Sequence, residues 1–419
     1  MDKNDNHSYP IKETAFNIPN NWTWCYLSDL SIIQEGPGIR KYQYENEGIQ
    51  FLTVTNILEG SVDLNKSKKY ISISEYNNKY KHFTIDKGDI VTACSGGSWG
   101  KSSFYNLDDK IILNTSTLRL RFFNDLGVNK YLYYLTKTSY FKGNLSSHST
   151  GQQANYGYSH YSKIPIPLPP LTQQKQIVAI LDKAFVAIDT AKANAEQNLQ
   201  NAKELFESYL QNVFSTKGDD WEEKTLGEVL QKTETVNPKS TPNNEFIYLD
   251  VSSVNKETKL IEKTTTLLGK DAPSRARKLV KTNDIIFATV RPTHSRVAII
   301  TDEYNNQVCS TGYYVLRPKN IIENHYLFYF ILTFGFNKLM ESMQKGASYP
   351  AVNNKEVESV VINFPKSIKE QQKIVERLDS LSTETKKLEA IYIQKFADLE
   401  EMKKSVLQKA FSGQLNTKN

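Results

Sequence analysis

Starting at Ile177, the apolar positions advance by alternating steps of four and three through Leu181, Ala184, Ile188, Ala191, Ala195, Ala202, Leu205 and Tyr209, with Asn198 the polar member of the series. That spacing predicts a long helix with a heptad seam. Adding 197 to each number gives Ile374, Leu378, Leu381, Thr385, Leu388, Tyr392, Lys395, Leu399, Met402 and Val406, a second seam with Lys395 at the Asn198 position. Prolines precede both helices, Pro165, Pro167, Pro169 and Pro170 before the first and Pro365 before the second. Gly218 and Gly413 follow them, where a helix stop favours glycine. At about 1.5 Å per residue, the stretch from Thr172 to Phe214 makes a rod of roughly 65 Å.

The helices close the two copies of a larger repeat. Ile18-Pro19 and Trp22, then Leu27-Ser28-Asp29-Leu30, open the first copy; Trp221 and Leu226-Gly227-Glu228-Val229 open the second. The alternating runs Phe51 to Ile57 and Tyr248 to Val254 predict matching half-buried strands, and Asp89-Ile90-Val91 with Asp284-Ile285-Ile286 predict another pair. Leu120-Arg121 corresponds to Leu316-Arg317, Tyr131-Leu132 to Tyr326-Leu327, and Leu210-Gln211 with Phe214-Ser215 to Leu407-Gln408 with Phe411-Ser412. The order of matches predicts a tandem duplication: a mixed α/β domain over 1–171, a helix over 172–216, a second α/β domain over 217–367 and a second helix over 368–419. An exposed apolar seam needs a partner, and a duplicated chain offers itself one. A pseudo-two-fold relation between the copies would make the two helices an antiparallel coiled coil.

Composition narrows the setting. The 419 residues are 39% hydrophobic, enough for real cores, and no apolar run reaches membrane-spanning length. No signal peptide is expected at the N-terminus. Cys25, Cys94 and Cys309 are far apart and odd in number, which argues against a disulfide framework or a thiolate metal site and fits the cytoplasm. The net charge is +6, while the two helical stretches together sum to zero, so the basic surplus sits in the globular domains.

The chain resembles the specificity subunits of type I restriction-modification systems. The resemblance rests on Ile18-Pro19-x-x-Trp22, Gly88-Asp89-Ile90, the run Ile164 to Leu171, and Gln174-x-x-Ile177-Val178-x-x-Leu181-Asp182 with its second copy Glu370-Gln371-x-x-Ile374-Val375-x-x-Leu378-Asp379. It implies two target-recognition domains, each reading one half of a split, asymmetric DNA site, with the helices setting the gap. It further implies two modification (methyltransferase) subunits and two restriction (endonuclease/translocase) subunits as partners. S-adenosylmethionine and ATP with Mg are then expected on those partners, with no cofactor in this chain and no membrane contact.

The residues agree that the chain is not itself an enzyme. No Asn- or Asp-Pro-Pro-aromatic loop for a flipped base is present, and Ser95-Gly96-Gly97-Ser98-Trp99-Gly100-Lys101-Ser102 lacks the first glycine of a phosphate loop. Its aligned segment, Val290 to Val297, contains no glycine. This loop changes in residue type between the copies while its flanking strands agree, so Ser98, Lys101, Arg291, His294 and Arg296 are candidates for contact with bases or phosphates. Lys79, Lys81 and His82 align with Arg275, Arg277 and Lys278 and are candidates for phosphate contact in both copies. Gln152 and Gln153, able to read adenine, align with Ser348 and Tyr349. For the coil and partner surface the expected residues are Ile177, Leu181, Ile188, Asn198, Leu205, Ile374, Leu378, Leu388, Lys395 and Leu399. Asn198 and Lys395 either fix register as buried polar groups or face water. A coiled-coil scaffold that reads no DNA is the alternative.

Overall fold

A computed structural model describes residues 17–123, 126–147 and 155–415, and the chain divides into two compact units. One unit comprises residues 1–194 with 395–419, the other residues 195–394. The divisions fall inside both long helices, Leu171–Ser215 and Ile368–Phe411, so each helix contributes to both units. The sequence boundaries at 172 and 368 mark helix starts but not the limits of the packed bodies.

In the first unit, strands Ser31–Glu35, Thr117–Phe122, Ile90–Ala93 and Ser102–Phe104 form an antiparallel sheet in that spatial order. Its second sheet is Tyr70–Ile71, Ile49–Phe51 and Ile111–Ile112, the last two parallel. In the second unit, Leu230–Gln231, Tyr313–Pro318, Ile285–Ala288 and Val297–Ile299 repeat the first sheet. Thr265–Leu268, Glu245–Leu249 and Val308–Ser310 repeat the second, with Ala276–Leu279 added beside Val308–Ser310. The predicted strands from Phe51 and Tyr248 end early, at Phe51 and Leu249. The cause in the first unit is Asn56, whose buried side-chain oxygen accepts the Thr53 amide at 2.9 Å and the Thr53 hydroxyl at 2.8 Å, turning the chain.

A short two-stranded sheet leads into each long helix: Thr23–Tyr26 against Pro165–Leu168, and Trp221–Thr225 against Val361–Pro365. Prolines are tolerated there because a two-stranded sheet has only edges. The helix then begins beside a buried glutamine. Gln174 accepts the Val128 amide at 2.9 Å and donates to the Pro169 carbonyl at 2.9 Å. Gln371 accepts the Glu323 amide at 2.7 Å and donates to Ile321 and Pro365 carbonyls at 3.0 and 2.8 Å. Asp182 then pairs with Lys130 and Tyr134, and Asp379 accepts from Tyr329. These bonds tie each long helix to the helices Asn129–Thr136 and Asn324–Leu332.

Within each unit the two long helices run antiparallel. In the first, Lys192 pairs with Glu400 at 3.1 Å, and Asp189 lies 3.6 Å from Lys403, so numbers rise on one helix as they fall on the other. The core there joins Ile177, Leu181 and Ile188 to Leu399, Leu407 and Phe411. In the second, Leu210 and Phe214 share a core with Val375 and Leu378, and Arg377 sits over the Tyr209 ring. Each domain thus receives the end of the helix that began in the other copy: Phe411 packs on Tyr131, ring centroids 5.1 Å apart, and Phe214 on Tyr326 at 4.9 Å. Gly413, at φ +72, ends the second helix with a bond from Gln414 N–H to the Lys409 carbonyl. Gly218 has no such conformation and instead lies against the Trp221 ring, where a Cβ would be 2.7 Å away.

The seam itself needs correction in the middle. Asn198 and Lys395 face solvent, as do Leu205, 61% exposed, and Leu388, 40% exposed. The half-buried line passes instead through Leu199, Ala202 and Phe206 on the first helix and Glu389, Tyr392 and Phe396 on the second. A straight helix has 3.6 residues per turn, so a strict heptad pattern drifts around its face; here the contact line slips by one residue. Asn198 and Lys395 are therefore not buried register pins.

Candidate nucleic-acid interface

In each unit one hairpin loop leaves the first sheet between equivalent strands, 94–101 in the first and 289–296 in the second. Both have the same frame. Ala93 N–H bonds Lys101 O at 2.9 Å, and Ala288 N–H bonds Arg296 O at 2.9 Å. Short 3₁₀ turns follow, Gly96–Ser98 and Pro292–His294. The resemblance of Gly96-Gly97 to a phosphate loop has a different cause: Gly96 and Gly100 have φ +65 and +75, and a strand follows where a phosphate loop needs a helix. At the same two places the second copy has Arg291 and Ser295, at φ +49 and +46.

The segment beyond the hairpin clasps it. Tyr156 N–H bonds Cys94 O and Asn155 bridges Ser95; Val352 N–H bonds Thr289 O and Ala351 bridges Val290. In the second unit this brings two of the predicted clusters together. Arg291 N–H donates to Pro350 O at 2.7 Å, and its guanidinium lies 5.5 Å from the centre of the Tyr349 ring. Ser348 and His294 are exposed on the same loops. In the first unit Ser98 is half-buried and Lys101 exposed, while Gln152 and Gln153 lie outside the described residues.

The remaining basic candidates separate. Lys79, Lys81 and His82 are exposed on a helical turn spanning Tyr76–Phe83. The aligned stretch of the second copy is the strand Ala276–Leu279. Arg275, just before it, is exposed, and its carbonyl accepts from Thr311 N–H, one residue from the Gly312 carbonyl that holds Thr289. Arg277 donates to the Asn237 side chain. Lys278 turns inward, donates to Tyr313 O at 2.6 Å, and has its pKa lowered by burial. Arg296 likewise donates to the Val254 carbonyl. Both side chains are thus engaged within the scaffold, Lys278 from the strand Ala276–Leu279 and Arg296 from the end of the hairpin loop, in place of the expected DNA contacts. Sequence reasoning missed Trp99, whose ring packs 4.9 Å from Tyr156, and Asn354 and Lys355, which line a shallow cleft with Thr289 and Thr311. No spacing pattern marks them, since they come from separate loops.

The motifs behind the family resemblance lie in the scaffold. Asp89 sits between Arg121 at 2.6 Å and Arg119 at 3.3 Å, and Asp284 holds Arg317 through two bonds of 2.8 Å. Trp22 donates its indole N–H to Gln173 at 2.9 Å. Among the described residues no cluster of metal-ligating side chains occurs, and no helix is long and apolar enough to cross a membrane.

One scaffold made twice, with a differently furnished hairpin surface on each copy, defines a tandem recognition protein. The family model for the type I restriction modification DNA specificity domain matches residues 19–200 and 218–395, and the chain belongs to that family. It is 23% identical to the type I restriction enzyme EcoKI specificity subunit of Escherichia coli strain K12, covering 96% of this chain and 91% of that one. The StySPI specificity subunit of Salmonella potsdam is 23% identical, over 95% and 90%. Among solved structures, the HsdS subunit from Thermoanaerobacter tengcongensis matches with a TM-score of 0.64 at 20% identity, over 96% of this chain and 99% of that chain. A chain from a study of complex assembly and conformational transition of the type I R-M system matches at 0.75 and 18%, over 96% and 100%. These likenesses establish the duplicated fold.

Proposed function

We propose that this chain is the non-catalytic DNA-specificity subunit of a type I restriction-modification system. Each unit reads one half of a split, asymmetric sequence through its hairpin and the segment that clasps it, and the long helices set the gap between the halves. Two modification subunits, using S-adenosylmethionine, and two restriction subunits, using ATP and Mg, would carry out the reactions on this frame. The observation that carries this reading is the pattern of the repeat: sheets, clasps and buried ion pairs recur, while the hairpin side chains do not. Two joined half-site contacts also strengthen each other, because the second becomes intramolecular.

The test is to co-express the chain with its cognate modification subunits and map methylated adenines by single-molecule sequencing. A split motif that depends on the chain is expected, and exchange of residues 217–367 for those of a relative should change one half only. A stable complex that yields no motif would favour the scaffold alternative.

A further inference from the structure

The two hairpins place left-handed residues at equivalent positions and fill the first with opposite residue types. The bond from Trp99 N–H to Gly96 O, 3.3 Å, has its counterpart in His294 N–H to Arg291 O, 3.0 Å. Glycine is the usual occupant of a left-handed position because an L side chain there crowds its own backbone. The first copy uses it, and a Cβ built at Gly96 would meet nothing within 4 Å, so the space is open. The second copy places an arginine in that space.

Arg291 is held from several sides. Its amide is bonded to Pro350, its neighbour Val290 bridges Ala351, and its guanidinium lies over the Tyr349 ring, itself 72% exposed. Reciprocal 2.9 Å bonds between Lys345 and Ala351 close the loop that presents the ring. Other cations nearby are occupied: Arg296 by Val254, Lys278 by Tyr313, Lys345 by Glu356. Among the described residues no carboxylate forms an ion pair with Arg291. A guanidinium placed over a ring and paired with no carboxylate has N–H donors left to offer, and its planar fork matches the O6 and N7 acceptors that guanine shows in the major groove.

Resting on the specificity reading above, we propose that Arg291 is the residue with which the second domain reads a guanine, positioned by Tyr349, and that the first domain reads no base at the equivalent position. Strain at a non-glycine left-handed residue is typical of functional sites. Here a guanidinium set over a ring, with no carboxylate paired to it among the described residues, gives it a purpose.

The experiment compares the unaltered chain with R291G and R291K, each co-expressed with its cognate modification subunits, by methylome mapping and by thermal denaturation of the complex. The unaltered chain should give a split motif with a fixed guanine, on either strand, in the half governed by residues 217–367. R291G and R291K should each lose about tenfold or more of the preference for that guanine, with the other half unchanged. R291G should melt no lower than the parent, since glycine accepts the backbone; R291K keeps the charge and guards against a folding defect. A half-site with no fixed guanine overturns the proposal. So does an R291G complex whose methylation falls uniformly at every site with no base relaxed, the behaviour of a phosphate contact. Absence of any split motif with the unaltered chain would instead refute the specificity reading itself.

Discussion

The two domains are most alike where they are buried and least alike at the hairpins. The glutamine clasps at Gln174 and Gln371, and the Asp–Arg pairs at Asp89 and Asp284, occupy equivalent places and bond equivalent groups. The loops 94–101 and 289–296 share the bonds that close and clasp them, differ in others, and exchange nearly every side chain. The physical reason is that a buried polar group without its partner costs about 1 to 3 kcal/mol, while an exposed loop side chain costs little to replace. Conserving the frame therefore leaves the loops free to acquire separate preferences.

The comparison breaks most severely if a shared core is charged. Leu378 is fully buried in the second unit, between the long helices and the helix Asn324–Leu332. L378E should cost about 4 kcal/mol or more and open that unit, because it buries an unpaired carboxylate in a packed apolar core. Hydrogen exchange followed by mass spectrometry should show lost protection across 195–394 first. Loss confined to 1–194 would contradict the assignment of this helix half to the second unit.

A smaller effect tests whether the clasps are equivalent. Q371A would leave the Glu323 amide and two carbonyls without partners; Q174A would orphan the Val128 amide and one carbonyl. Each should destabilise its own unit by about 2 to 3 kcal/mol, Q371A the more. Equal protection in both units after either change would mean that the clasps are dispensable.

The frame was largely legible in the sequence because periodicity and repetition report buried positions. Seam residues at the ends of both helices, the strands at Ile90 and Ile285, and the family motifs all lie in packed regions, where side-chain type is constrained. The hairpin surfaces were only half legible. Alignment identified Arg291 and Tyr349 separately, but their contact depends on a bond between distant loops. It could not show that Lys278 bonds inward, since a basic residue on a strand reads the same on either face, nor that Arg296 reaches the Val254 carbonyl of a distant loop. The buried Gln174 and Gln371 show in the sequence only through their spacing, because the backbone amides they accept come from distant loops.

The centre of the helices, where the expected seam and the observed one part, gives the gentlest test. If Asn198 and Lys395 were buried register pins, removing them would change stability by well over 1 kcal/mol and disturb the coil. Both face solvent, whereas Phe206, two turns on, is half-buried with its ring 6.5 Å from Tyr329. N198A and K395A should therefore shift stability by no more than about 0.5 kcal/mol, N198A in the stabilising direction because alanine is the better helix former. F206A should cost about 1 to 2 kcal/mol from lost burial. Denaturant titration of the three variants measures all of these on one scale. A larger loss for N198A than for F206A would restore the heptad line through 198 and 205, and with it the register role that its exposed side chain now argues against.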